Sequence, residues 1–260
     1  MSDVLRELFS VEGKVAVVTG GSRGIGRMIA EGFVRAGVRV YITARKAEQV
    51  EQTARELSEL GECVAIPADL SSEAEANRFA AAVAEREDIL HILVNNAGAT
   101  WGEPIETFPD SAWDKVLGVN VKGVFHLTRA FLPQLRAAGT ADDPARVINI
   151  GSIDGIHVPM LETYAYSASK AAVHQLTRHL AKRLAAEHVT VNAVAPGPFP
   201  SKMMQATLEA FEEAIVAGCP LGRIGRAEDM AGVAIYLASR AASYVTGTVI
   251  PVDGGIATTK

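Results

Sequence analysis

VAVVTGGSRGIGRMIAEGFVRAG, residues 15–37, decides how the rest of the chain is read. Val15–Thr19 is a short run of β-branched and small apolar residues, the composition of a buried strand. A glycine-rich turn follows, Thr19-Gly20-Gly21-Ser22-Arg23-Gly24-Ile25-Gly26. From Gly24 to Ala36 the apolar residues recur at helical spacing. Glycines let a backbone approach a pyrophosphate closely, and the helix that follows offers free N–H groups and the positive end of its dipole. The spacing is G-x-x-x-G-x-G, not the commoner G-x-G-x-x-G. The strand before and the helix after supply the context that a nucleotide cradle needs. Gly20, Ser22, Arg23, Gly24, Ile25 and Gly26 are its candidate contacts.

Outward from this stretch the pattern repeats. Apolar strand candidates are Val38–Thr43, Cys63–Ala68, Ile89–Asn95, Val147–Gly151, Val189–Ala195 and Thr248–Val252. Several are continuously apolar, as strands covered on both faces are. Helical periods lie between them at Ala47–Leu60, Glu73–Arg86, Ser111–Ala137, Tyr164–Glu187 and Ala227–Ala238. The alternation predicts a single-domain α/β chain over residues 1–260. Its architecture is a Rossmann-type, doubly wound parallel sheet of about seven strands with helices on both faces. Ala138–Ala145 reads as a helix-to-strand loop. Residues 198–221 break the alternation and are rich in Phe, Met, Leu and Ile, the content of a substrate loop or lid.

Composition narrows the function. The net charge of −5 and the lack of a dense Lys/Arg run speak against nucleic acid. Cys63 and Cys219 sit in no CxxC, which fits small buried residues in a reducing compartment. The first fourteen residues mix acids with apolar residues and form neither a secretion signal nor a membrane span. A cytoplasmic protein with no membrane partner is expected. The six histidines have no metal-ligand spacing, so no metal is expected.

The second strand ends Tyr41-Ile42-Thr43-Ala44-Arg45-Lys46, without the acid that usually holds a ribose 2′-OH. Arg45, with Arg23 in the glycine turn, can pair with a 2′-phosphate instead. The expected cofactor is therefore NADP(H). Farther on, Tyr166-Ser167-Ala168-Ser169-Lys170 sets a phenol and an ammonium on one helix face. A nearby ammonium favours the phenolate, so the pair can exchange a proton with a carbonyl or alkoxide oxygen. Ser167-x-x-Lys170 also matches the nucleophile motif of β-lactamases, but the S-D-N and K-T-G partners are missing. Tyr164 lies six residues before Lys170, on another face, and reads as a pocket or packing residue.

The glycine turn, Asp69-Leu70, Asn95-Asn96-Ala97-Gly98, Asn120, Ser152, Tyr166-x-x-x-Lys170 and Pro196-Gly197 follow in one order. Together they resemble the classical short-chain dehydrogenase/reductase family, from about Gly13 to Val252-Asp253-Gly254-Gly255. Among its members the chain is most similar to 3-oxoacyl thioester reductases. The resemblance implies that Tyr166 donates the proton in reduction and accepts it in oxidation. It implies that Lys170 holds the nicotinamide ribose and lowers the Tyr166 pKa, that Ser152 polarises the carbonyl, and that Asn120 holds a relay water. Asp69 and Leu70 would flank the adenine, and Asn96, Ala97 and Gly98 its ribose. Pro196, Gly197 and Ser201 would meet the carboxamide. The family commonly carries Thr where this chain has Ser201, which keeps the hydroxyl.

Substrate walls are expected at Ile153–Glu162 and Phe199–Val216, with Ile156, Val158, Met160, Leu161, Phe199, Met203, Met204, Leu208, Phe211 and Ile215. Their apolar, Met-containing character suits an acyl chain or bulky ketone. The alternatives are a polyol- or steroid-type dehydrogenase of the same family, or a non-enzymatic NADP sensor, which has no use for a proton relay. Arg129, Arg178, Lys182 and Arg183 read as a solvated helix face, with docking of an acidic carrier protein as the other possibility. The resemblance implies a homotetramer through the helices at Ser111–Ala137 and Tyr164–Glu187. Val116, Val119, Val124, Phe125, Leu127, Val173, Leu176 and Leu180 are candidate contacts.

Overall fold

The computed structural model describes residues 3–259. Seven parallel strands form one sheet in the order β3-β2-β1-β4-β5-β6-β7. They are β1 Val15–Thr19, β2 Arg39–Thr43, β3 Cys63–Ala65, β4 Ile92–Asn95, β5 Ala145–Ile150, β6 Val189–Pro196 and β7 Val249–Val252. The order reverses between β1 and β4, which opens a crevice at the carboxyl ends of those strands.

The continuous apolar runs are explained by two cores, one on each face. Ala16 and Val18 of β1 face one core with Ile29, Phe33, Met230 and Leu237. Val15 and Val17 face the other with Phe79, Phe131, Leu135 and Leu184. The first core is roofed by α2 Gly24–Arg35, α3 Ala47–Ser58 and α10 Ala227–Ala238. The second is roofed by α4 Glu73–Ala84, α6 Val124–Ala130, α7 Leu132–Ala138 and α8 Tyr164–Leu184. The chain also forms α1 Asp3–Phe9, α5 Asp110–Leu117 and α9 Gln205–Gly218.

Three sequence expectations change. The single helix expected over Ser111–Ala137 is interrupted by a π turn at Gly118–Gly123, and Phe131 separates α6 from α7 with Pro133 in the first turn of α7. Both breaks have local causes: glycines bracket the π turn, and proline has no amide proton to continue a helix. Residues 198–221 are not a loop throughout: Gln205–Gly218 is helical, as its Ala, Glu and Leu content favours. That helix buries no residue, so its apolar side chains did not form a readable core stripe. Finally, four of the eight candidate interface residues, Val116, Val124, Leu127 and Val173, lie inside the chain's own core.

Candidate active site

The glycine turn is shaped by close approach. Gly20 and Gly24 have φ of +65° and +53°, where a side chain is strained. A Cβ on Gly26 would stand 2.3 Å from the Gly20 carbonyl oxygen, so only glycine fits. Thr19 and Asn96 rivet this turn to the end of β4. Thr19 Oγ1 accepts from the Asn96 and Ala97 amides at 2.9 Å each, and Asn96 Nδ2 donates to the Thr19 carbonyl at 2.8 Å. Asn96 is thus spent on shaping the cradle. Ser201 comes over the turn from the β6 side, within 3.1 Å of where a Gly24 Cβ would be.

Beside the turn, a cleft is lined by Ser22, Arg23, Arg27, Lys46, Gln49 and Glu56. Lys46 lines this cleft at its β2 end, and the residue before it, Arg45, is exposed. Sequence reasoning missed Lys46 and Arg27, although Lys46 stands at the N-cap of α3, where an anion gains from the helix end. Leu70 also departs from expectation: its side chain is buried in the second core, which leaves only its main chain for an adenine. Asp69 is exposed and accepts from the Ser71 amide at 3.1 Å.

At the ends of β5 and β6 the remaining candidates converge. β5 delivers Ser152, which is buried and accepts from the Asp154 amide at 3.1 Å. The first turns of α8 deliver Tyr166 and Lys170. The Ser152 hydroxyl lies near enough to the Tyr166 phenol to favour its ionised form. Lys170 Nζ is buried, donates to the Ile150 carbonyl at 2.7 Å and lies 5.4 Å from the centre of the Tyr166 ring. The π turn delivers Asn120, which is buried. Its Oδ1 accepts from the Ala99 amide at 2.8 Å, and its Nδ2 donates to the Ala99 carbonyl at 3.0 Å and to Ser169 Oγ at 2.8 Å. Gly98 lies against these groups: a Cβ there would make ordinary contact with Asn120 Oδ1 at 3.4 Å and Lys170 Nζ at 3.9 Å. Pro196 ends β6, and a Cβ on Gly197 would press on Asp253 at 2.8 Å.

Burial dominates the electrostatics. It pushes the Tyr166 phenol up to about 12, with Ser152 drawing it down and Asp154 adding to the rise. It brings Lys170 down to about 8, with Asp154 opposing. Desolvation of the phenolate is the largest of these effects on Tyr166. Asp154 itself is held up by burial, against His157 and Lys170. Tyr164 is removed from the chemistry: its hydroxyl donates to Glu162 at 2.8 Å and its ring stacks edge-on with Phe108.

Of the expected substrate walls, Phe199 turns inward and is buried in the first core, its ring occupying the space a Gly225 Cβ would need. Val158 and Met160 do the opposite, standing 90% and 81% exposed between Ser152 and Tyr166.

A family model described as enoyl-(acyl carrier protein) reductase matches residues 20–257. The rhamnolipids biosynthesis 3-oxoacyl-[acyl-carrier-protein] reductase of Pseudomonas aeruginosa is 54% identical over 249 residues, covering 95% of this chain and 97% of the relative. The chain is a short-chain dehydrogenase/reductase. This reductase also superposes on the NADP active-site complex of Pseudomonas aeruginosa RhlG with a TM-score of 0.93 and 53% identity, covering 96% and 98% of the two chains. The run Arg146–Ser152 with Ala168-Ser169-Lys170 already resembles the rhamnolipid-linked reductase in sequence, and the whole-chain identity bears that likeness out. A galactitol 2-dehydrogenase of Cereibacter sphaeroides is 41% identical over 258 residues, covering 96% and 97%. The enzyme is an oxidoreductase of this family, and among its described residues no helix is long and apolar enough to cross a membrane.

Proposed function

We propose that this enzyme reduces the ketone of a 3-oxoacyl thioester with NADPH. The observation that carries the reading is the convergence of the Ser152 hydroxyl and the Tyr166 phenol, with the buried Lys170 ammonium behind them. Two hydroxyl donors aimed at one place suit an oxygen on which negative charge develops.

The glycine turn fits a dinucleotide, because Gly26 lets the first turn of α2 close against the Gly20 carbonyl and hold the loop in the tight form that a pyrophosphate needs. Arg23, Arg45 and Lys46 suit a 2′-phosphate, Gly98 borders the adenine ribose, and Pro196, Gly197 and Ser201 border the nicotinamide end. When bound, the cofactor supplies the hydride. Ser152 and Tyr166 then donate hydrogen bonds to the substrate oxygen, and the proton passes from Tyr166 Oη to it. A phenol held at about 12 stays protonated at neutral pH, which matches the reductive direction. Lys170 is the counter-charge as the phenolate forms. Asn120 holds Ala99 and Ser169 in place and leaves one Oδ1 lone pair and its main chain for a relay water. The exposed Val158 and Met160 give an acyl chain an apolar rim, with residues 198–221 acting as the lid. The enzyme works in the cytoplasm as a homotetramer, with Phe125, Leu176 and Leu180 at a subunit contact.

The test is NADPH consumption with a 3-oxoacyl thioester, a 2-enoyl thioester and galactitol (the last with NADP). Fast turnover of the 3-oxo compound alone is expected. Reduction of the enoyl compound instead, or faster oxidation of galactitol, overturns the substrate assignment. Lys46→Glu is expected to weaken NADPH relative to NADH by about 10–100-fold, the worth of one charged hydrogen bond. An unchanged preference would remove Lys46 from the phosphate site.

A further inference from the structure

His174 lies one helical turn beyond Lys170 and takes part in none of the steps above. It is buried, with 4% of its surface exposed. Its ring is wedged into the strand-to-turn segment that carries Ser152. A Cβ added to Gly151 would stand 2.1 Å from Nε2, and one added to Gly155 would stand 2.9 Å from Cε1. Neither glycine has positive φ: at Gly151 the ring demands the missing side chain, and at Gly155 the ring shares that demand with the α8 backbone, whose Lys170 carbonyl carbon and Ala171 amide nitrogen would each stand 2.7 Å from a Cβ. The Gly155 main chain lies beside the imidazole and acts on it as a carbonyl acceptor does, favouring the protonated ring. Nε2 is buried and has no partner. The same short turn is also tied to α8 by Ser167, whose Oγ donates to the Asp154 carbonyl at 2.5 Å.

We infer that His174 is a positioning residue for the reduction. Its ring is the spacer that sets the distance between the Ser152–Gly155 turn and the helix bearing Tyr166 and Lys170. The inference rests on the Ser152/Tyr166 reading above.

The physical case is one of fit. Two elements must hold a serine hydroxyl and a phenol in one constellation, and an error of about 1 Å there can cost about 10²-fold in rate. A flat ring fills the slot between two glycines, and one ring nitrogen anchors it to the turn. Burial favours the neutral form of the ring in this slot, although the Gly155 main chain favours the protonated one. The charged groups around it favour the neutral form: Lys170 and Arg178 on its own helix are both cations, and burial acts with them to hold it down at about 4. Asp154 on the facing turn lies near Lys170. His157, in the segment after that turn, hydrogen-bonds through Nδ1 with the Val158 carbonyl at 2.9 Å.

Four variants and their pH profiles test this. His174→Leu removes the anchor and is expected to lower kcat at least tenfold, with NADPH affinity unchanged. In alcohol oxidation, the limb that reports phenol ionisation is expected to move to higher pH, because the Ser152 contact that lowers the Tyr166 pKa is loosened. His174→Asn places an amide nitrogen near the Nδ1 position and is expected to restore both the rate and the limb. Gly151→Ala pushes the ring out and is expected to mimic His174→Leu. In a His174→Ala background the two ring contacts are gone, the Val194 carbonyl at 3.3 Å is the next nearest atom, and the added methyl is expected to cost far less than in the wild type. That non-additivity keeps the test informative even if one single variant folds poorly. Wild-type kcat and pH profile in His174→Leu, or additive losses in the Gly151→Ala/His174→Ala pair, would overturn the inference. Tyr166→Phe runs beside them: if it is fully active the catalytic reading fails, whatever His174 does.

Discussion

The two edges of the sheet use buried polar groups in opposite ways. At the amino edge, Lys14, Asp143 and Arg146 form a closed network. Lys14 Nζ donates to both Asp143 oxygens at 2.9 and 2.7 Å and to the Ala238 carbonyl at 3.1 Å. Arg146 reaches Asp143, Pro144 and the carbonyls of Leu237 and Ser239. The cations thus take up the carbonyls at the C-terminal end of α10, which the helix leaves without partners and which carry its negative pole. At the carboxyl edge, satisfaction is incomplete. Among the described residues six buried polar side-chain atoms lack a partner, and five of them belong there: Thr43, Asn95, Trp101, His157 and His174. One edge is finished by the fold. The other keeps groups in reserve for ligands and geometry, so the two should fail in different ways when altered.

The largest separation is expected from Tyr166→Phe. Turnover should fall by about 10²–10⁴-fold, the usual worth of a general acid, while the thermal midpoint stays put. A variant that keeps its rate, or one that loses its fold, would erase the contrast between the edges.

Arg146→Leu should do the reverse. It leaves the carbonyls of Leu237 and Ser239 without donors and Asp143 with Lys14 alone, and breaking such a buried network costs about 3–5 kcal/mol. Urea unfolding measures this. Activity per folded molecule should be unchanged, and a loss of kcat without a loss of stability would show that the amino edge reaches the chemistry.

The smallest effect concerns acid. His174 has a folded pKa of about 4 against an ordinary 6.5, so between those values the unfolded chain binds a proton that the folded chain does not. Stability is therefore complete above about pH 6.5 and declines as pH falls towards 4, by at most about 1.4 kcal/mol per pH unit from this group. In His174→Asn that part of the slope should vanish. An identical slope in wild type and variant would mean that the imidazole is not held neutral.

The sheet was legible in the sequence because β1, β5 and β6 are mostly apolar, and they are buried along their whole length, a pattern that two covered faces impose. The site was legible where chemistry needs fixed residue types at fixed spacings, as in Gly20–Gly26 and Tyr166–Lys170. What stayed hidden depends on three-dimensional neighbours. Phe199 looks like a pocket residue until Gly225 is seen to vacate room for its ring. Lys46 looks like one more surface cation until the cleft beside α3 is formed. Helix α9 buries nothing, so it left no periodic stripe to read. His174 is one more polar residue on a long helix until Gly151 and Gly155 are brought against it.

The amino-edge network also sets a clock. Lys14 and the Ala238 carbonyl that completes its coordination are 224 residues apart. At a synthesis rate of roughly 5–20 residues per second, the first strand leaves the ribosome about ten to forty-five seconds before its last partner exists. During that interval Lys14 and Arg146 can be hydrated but not capped. The nascent chain must hold its early strands without the lock that closes the finished sheet. Stalling synthesis before α10 should therefore leave a chain whose amino edge is open to water and to proteases.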